Sequence, residues 1–448
     1  MTRRVLPILA LLAQFAHRGR RIVRAIILLS CDRAFVLGIA GDRLQVRAGG
    51  KRSVERVWLS RNVRLVRRTP GFGQGQATMH LSDFTTGRDN NFNLIRMVAA
   101  LAVLVTHAFV LAIGTPDAEP LRDILGMTIG SIAVDVFFLT SGFLVTASLL
   151  RSQRAIAFVW ARVLRIFPAL GVMVLLTVFL LGLSMTSLPT SVYLSDARTW
   201  SYALKCATLV SGVLYELPGV FENNPYRSVV NGSLWTLPYE IAMYGMLFLT
   251  WFCLGAIARF RALALQTVVI GMALSCAVLL VLFQLSVIDG DLQFSKLSFM
   301  FFSGSAFYIL RERIVLSQRV FLLLSGLLLL ALFDSRIFPF VYAATVCYLL
   351  FFVAYVPAGL VRTYNRLGDY SYGVYIYAFP VQQSTAALLP GVSVLNMLLV
   401  SGAVTVVLAV LSWHLLEKPA LRQRLRLTER RARRLLVKVP GATADSRF

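Results

Sequence analysis

His107 and Arg96 stand eleven positions apart in an almost wholly apolar run, RMVAALAVLVTH. At 100° per residue, eleven steps return nearly to the same helix face, and at 1.5 Å rise they carry the imidazole ~16 Å beyond the guanidinium. Asp135 and Glu240 enter two other apolar runs from the far side. Counting inward by helical rise puts His107, Asp135 and Glu240 each roughly 7–9 Å from that boundary. An ionisable group inside a membrane span is costly and is a functional candidate by default. An imidazole beside a carboxylate in a low-dielectric site is held in one tautomer and gains basicity, which is what taking a proton from a hydroxyl requires. The same residues also suit a polar knot between helices, or a proton relay in a transporter or flippase of lipid-linked saccharides.

A second group lies at the other side of the membrane in RSQRAIAFVWARVLRIFP, residues 151–168. Arg151 and Arg154 are explained by orientation of the chain in the bilayer. Arg162 and Arg165 are three apart on one helical face, with Arg96 at similar depth on a neighbouring helix. Three convergent guanidiniums suit a polyphosphate ligand that approaches from that side.

The elements that must position these groups follow from composition. Of 448 residues, 57% are hydrophobic and 15% charged, so the bilayer is the chain's solvent. The net charge of +24 sits at the ends and in short loops, as expected of residues retained in the cytoplasm and not of a nucleic-acid surface. Five scattered cysteines have no metal-ligand spacing, and no metal is expected. Ten apolar segments reach, or nearly reach, spanning length, near residues 92–113, 129–149, 166–186, 235–255, 265–287, 294–310, 319–333, 337–356, 369–389 and 394–416. The expected fold is therefore all-α and polytopic, with about ten transmembrane helices. Arg151, Arg259, Arg311 and Arg362 mark inside loops and Asp117, Asp291 and Asp334 outside ones, so both termini are expected in the cytoplasm. Residues 187–234 form an outer segment too long for a plain hairpin.

Residues 1–78 differ from the remainder. They are Arg-rich, and their one longish apolar stretch, Ile22 to Ala40, is broken by Arg24, Asp32 and Arg33. They are read as a basic extension that is disordered or precedes a natural start at Met79. Residues 79–420 form the membrane domain, and 421–448 a basic cytoplasmic tail.

Several of these stretches, taken in order, resemble the integral-membrane acyltransferase 3 family, which includes bacterial O-acetyltransferases of surface glycans. RMVAALAVLVTH is similar to the family's arginine, ten residues, histidine signature. VDVFFLTSGFL (134–144) is similar to its second-helix motif, and ARVLRIFP supplies its RxxR at Arg162 and Arg165. NGSLWTLPYE (231–240) resembles the tryptophan-to-glutamate motif, and GDYSYGVYIYAFPVQQ (368–383) the late serine-tyrosine helix. Many members have histidine where this chain has Ala378, so the chemistry is expected to rest on His107.

The resemblance implies a bacterial inner-membrane enzyme that takes an acyl group, most simply acetyl, from cytoplasmic acyl-coenzyme A to a hydroxyl of a surface polysaccharide or lipid-linked saccharide. Arg96, Arg162 and Arg165 would hold the coenzyme's phosphates. His107 would act as general base, oriented by Asp135 or Glu240, or would carry the acyl group itself. Asn231, Ser233 and Trp235 have amide, hydroxyl and indole groups suited to a sugar, although Trp235 equally suits an interfacial anchor. Tyr375 and Gln382 are further acceptor-side candidates, with packing the plainer role for each. With no soluble domain expected after the last span, the stand-alone form of the family is the better template.

Overall fold

The computed structural model describes residues 79–423, apart from 88, 153, 258–260 and 289. The readings made for residues 1–78, and for the tail from 424 onward, lie outside the described residues. Eleven helices carry the architecture: α1 Phe92–Ile113, α2 Ile129–Ser152, α3 Ala155–Leu175, α4 Ala197–Thr208, α5 Thr236–Ile257, α6 Arg261–Gln284, α7 Leu292–Ile309, α8 Gln318–Ala331, α9 Phe338–Tyr355, α10 Ser371–Leu388 and α11 Val394–Ser412. Short helical turns join several of them. No β-strand occurs among the described residues, only isolated bridges.

Helices occupy all ten apolar segments, and seven are long and apolar enough to cross a membrane. These are α1, α2, α3 with its continuation to Met185, α5, α6, α9 and α11. The other three deviate for visible reasons. The helix α8 is short, while α7 and α10 have spanning length but bury polar residues, Ser295, Ser298 and Ser305 on one and Gln382, Gln383 and Thr385 on the other. Buried polar groups lower mean hydropathy without placing them against lipid. The third segment also starts earlier than its hydropathy indicates. Arg162 and Arg165 depress the apolar signal before residue 166, yet α3 begins at Ala155 and carries both arginines. A π-helical stretch, Leu176–Gly182, continues it.

In lipid, helices gain little from hiding apolar surface from one another, so close packing through small residues takes over. The contact between α2 and α7 shows this directly. A Cβ added at Gly142 would lie 1.9 Å from the Phe301 carbonyl oxygen, and one at Gly304 would lie 2.1 Å from that of Leu139. Only two glycines permit this approach, and Ser305 Oγ donates across it to the Gly142 carbonyl at 3.2 Å. Nearby, Phe143 packs on Phe351 with ring centroids 4.5 Å apart, and Phe92 meets Tyr355 at 5.4 Å, joining α1 and α2 to α9. Asn91 fixes the start of α1 by donating to the carbonyls of Val353 and Pro357.

The long segment between α3 and α5 is ordered by buried amides. Asn224 Nδ2 donates to Gln383 Oε1 at 2.7 Å, and Gln383 Nε2 donates in turn to the carbonyls of Tyr226 and Val229. The irregular chain after α4 is thereby fastened to α10.

Candidate active site

His107 lines a cavity of about 600 Å³ with Thr106, Lys296, Trp235, Tyr342 and Tyr375 among its neighbours. The imidazole meets the Phe379 ring edge-on, with centroids 5.0 Å apart, and its Nδ1 is buried without a hydrogen-bond partner. Phe379 is itself positioned by the turn that opens α5. Asn231 Oδ1 accepts from the Ser233 amide and caps this turn. Gly232 between them lies so close to Phe379 that an added Cβ would stand 2.6 Å from the ring. The NGS sequence thus sets the ring against which the imidazole rests.

The two carboxylates expected at the level of His107 have other partners. Asp135 is fully buried, and Lys296 Nζ stands 3.1 Å from its Oδ2. Glu240 accepts from Ser141 Oγ at 3.1 Å and from the Tyr244 hydroxyl. Among the described residues neither carboxylate is hydrogen-bonded to His107. Helical rise estimates depth but not which side of a helix faces which neighbour, and Lys296 on α7 competes for Asp135.

Glu240 belongs to a second, much smaller cavity of about 30 Å³ that it lines with Arg96, Ser141, Ser371 and Tyr372. Val134 and Tyr375 line both cavities. The Tyr375 hydroxyl donates to the Ser233 carbonyl at 2.7 Å and lies 2.6 Å from Thr236 Oγ1. Phe137 stacks edge-on to Tyr375 at 5.6 Å, and the Arg96 guanidinium lies 5.8 Å from the Phe137 ring. Arg96, Phe137 and Tyr375 therefore run in sequence toward the His107 cavity.

At the far end of that line the arginines meet acids. Arg165 bonds Asp369 Oδ2 at 2.5 Å and Glu417 Oε2 at 3.2 Å, and Arg96 approaches the same Asp369 oxygen at 3.7 Å. Ser371 Oγ donates to the other Asp369 oxygen at 2.5 Å. Arg162 places its guanidinium 5.6 Å from the Phe158 ring and 5.7 Å from that of Tyr244. Arg96 and Arg165 thus meet at one carboxylate, and Glu417 joins them, neither acid having been singled out in the sequence. Asp369 and Glu417 sit at the edges of apolar runs on a side that is otherwise basic, and that exception was their signal. Lys296 had a similar one, a cation within an apolar segment.

The expected acceptor-side residues divide. Trp235 and Tyr375 face the large cavity. Asn231, Ser233 and Gln382 are fully buried behind its wall. Asn231 Nδ2 donates to the Ile376 carbonyl at 3.0 Å, and Gln382 Nε2 to that of Leu104 at 2.8 Å. These two bonds hold helices and the turn in place, while Ser233 Oγ is buried without a hydrogen-bond partner. No group of three His, Cys, Asp or Glu side chains among the described residues is arranged to hold a metal.

The family model described as an acyltransferase domain matches residues 89–415. An O-acetyl transferase of Shigella phage Sf6 is 33% identical over 356 residues, covering 74% of this chain and 96% of that protein. Nodulation protein 10 of Rhizobium leguminosarum bv. viciae is 31% identical over 384 residues, covering 78% of this chain and 98% of its own length. No solved structure matches the chain.

Proposed function

The chain belongs to the acyltransferase 3 family, and on that premise we propose that it moves an acyl group, most simply acetyl, from acyl-coenzyme A to a hydroxyl of a surface polysaccharide or its lipid-linked precursor. The observation that carries this reading is His107 on the wall of a cavity of about 600 Å³, with a line of side chains leading from it to the Arg96 and Arg165 cluster. Such a volume lies within the ~300–1,000 Å³ range of small-molecule sites. The name of the phage relative supports acetyl as the group and oxygen as its destination.

In this reading the chain has ten spans, with both ends in the cytoplasm of a bacterium and the arginine cluster at the inner face of the inner membrane. The donor's phosphates engage Arg96, Arg162 and Arg165, sharing the first and last with Asp369. The thioester end reaches the His107 cavity, where the acceptor hydroxyl lies against the imidazole. His107 takes the hydroxyl proton as the oxygen attacks the thioester carbonyl. The carbon–sulfur bond breaks, an ester forms, and the departing thiolate regains a proton as free coenzyme. Glu240 stands on the donor side of Tyr375 and acts through Ser141 and Tyr244. Asp135 acts through Lys296 and not on the imidazole.

The test is the ester content of surface glycans in a deletion strain complemented with wild-type or His107→Ala protein at matched levels. Wild type restores an acyl mass increment and His107→Ala does not. Restoration by His107→Ala removes the catalytic role of His107, and no increment with wild type removes the reaction.

A further inference from the structure

The His107 cavity is walled by three charged side chains, and none of them offers an uncompensated charge. Glu119 Oε2 accepts from Arg122 at 2.7 Å, and Lys296 is held by Asp135 at 3.1 Å. Glu119 and Arg122 belong to the connection between α1 and α2, whereas Asp135 and Lys296 bridge α2 and α7 about two helical turns from the glycine contact. Asp135 is sealed from the cavity, but Lys296 retains 17% of its side-chain exposure there. An ammonium has three donors, and the ion pair with Asp135 does not use them all, so Lys296 can also donate into the cavity.

This arrangement discriminates among acceptors. A carboxylate or phosphate entering the cavity loses hydration and meets only cations already neutralised by Asp135 and Glu119, which is a net cost. A neutral hydroxyl-bearing ring loses less and finds donors at Lys296, an indole at Trp235 and the base at His107. Trp235 is partly exposed on the cavity wall, and its ring meets Tyr239 edge-on at 5.8 Å, so it has a fixed orientation. We infer that Lys296, held by Asp135, binds the acceptor, and that the sugar unit acylated in this cavity is uncharged. The inference rests on the acyl-transfer reading above and goes beyond it by naming the acceptor's charge class and a residue that selects it.

Two measurements decide it. Membranes containing the wild-type protein and the cell's own glycan are incubated with acetyl-CoA labelled in the acetyl group, and the labelled sugar is released under conditions that keep the ester. Elution of the label with neutral sugars on anion exchange supports the inference, and elution with acidic ones overturns it. No protein-dependent label at all instead removes the transfer reading. The second measurement uses the paired variant Asp135→Asn/Lys296→Met, which removes both charges together and so leaves no orphan. Protein that still gains thermal protection from acetyl-CoA should transfer label about tenfold or more slowly, the loss of one or two hydrogen bonds from a charged donor. Transfer within about twofold of wild type would overturn the role of Lys296. Should the paired variant not accumulate, the charge of the labelled sugar from wild-type membranes still decides the acceptor class.

Discussion

Arg165 bonds Asp369 at 2.5 Å while its other terminal nitrogen bonds Glu417 at 3.2 Å, so one guanidinium closes two acidic contacts from separate parts of the chain. Asp369 precedes α10 and Glu417 ends the π-helical turn that extends α11, and α3 is thereby tied to both. Removing one partner from a buried pair costs more than the pair is worth, because the survivor stays buried and unpaired. The damage should therefore be ordered. Asp369→Asn leaves Arg165 with Glu417, loses only the longer approach of Arg96 besides, and is expected to cost about 2 kcal/mol, whereas Arg165→Gln strips the short bonds from two carboxylates and should cost about 3–5 kcal/mol. Thermal unfolding of detergent-purified variants measures the order, and equal losses would contradict this account of Arg165.

The glycine pair between α2 and α7 gives a prediction with an internal control. Gly142→Ala or Gly304→Ala would drive a methyl group into backbone carbonyl oxygens, which cannot give way as the end of a flexible side chain can. The helices must separate, and Asp135 and Lys296 move apart with them. Each substitution is expected to lower both protein level and acyl transfer. Gly271→Ala on α6, where an added Cβ meets nothing within 4 Å, should be neutral or stabilising by about 0.5–1 kcal/mol. Immunoblot and ester content, read together across the three variants, check this.

What could be read from sequence here divides along physical lines. Apolar runs are local, and helices formed at all ten, including α7 and α10, whose inward serines and glutamines dilute hydropathy without breaking the run. The face shared by Arg96 and His107 is local too, since both lie on α1. Partnership between helices is not local. Asp135 meets Lys296 only because Gly142 and Gly304 let α2 and α7 touch, and nothing in the vicinity of Asp135 announces a residue 161 positions away. Likewise Asn231 and Gln382 have the side chains of sugar ligands, but their amides are taken by the carbonyls of Ile376 and Leu104. Residue type indicates what a group can bond, and packing decides what it does bond.

Gln383 leads to a prediction about the irregular segment after α4. Its amide accepts from Asn224 and donates to two carbonyls, those of Tyr226 and Val229, so one buried side chain fastens that stretch to α10. Gln383→Ala leaves several buried polar groups unsatisfied at about 1–3 kcal/mol each. Gln383→Glu should be worse despite its matching size, because a carboxylate oxygen would face two carbonyl oxygens where a donor is needed. Limited proteolysis in membrane vesicles should show faster cleavage within residues 209–231 in the order Glu, Ala, wild type. An unchanged cleavage rate in both variants would mean that the segment is held by other contacts.

Tyr375 forms part of the wall between the small cavity at Arg96 and Glu240 and the large one at His107, and its ring is kept there by bonds to Ser233 and Thr236 and by Phe137. A donor arm that passes from the arginines to His107 must displace this wall, and water is kept from the thioester while the wall stands. Tyr375→Phe keeps the ring and loses both hydroxyl bonds, so transfer should fall by a few-fold, the effect of about 1 kcal/mol. Tyr375→Ala joins the two cavities and opens a path for water. Its expected signature is a shift in partition: acyl-coenzyme A hydrolysis without acceptor rises relative to transfer, because water reaches the thioester that only an acceptor hydroxyl should meet. Thiol release and labelled ester, followed in the same membranes, separate the two rates. A parallel fall in both with no change in their ratio would show that Tyr375 supports the fold alone and does not guard the passage.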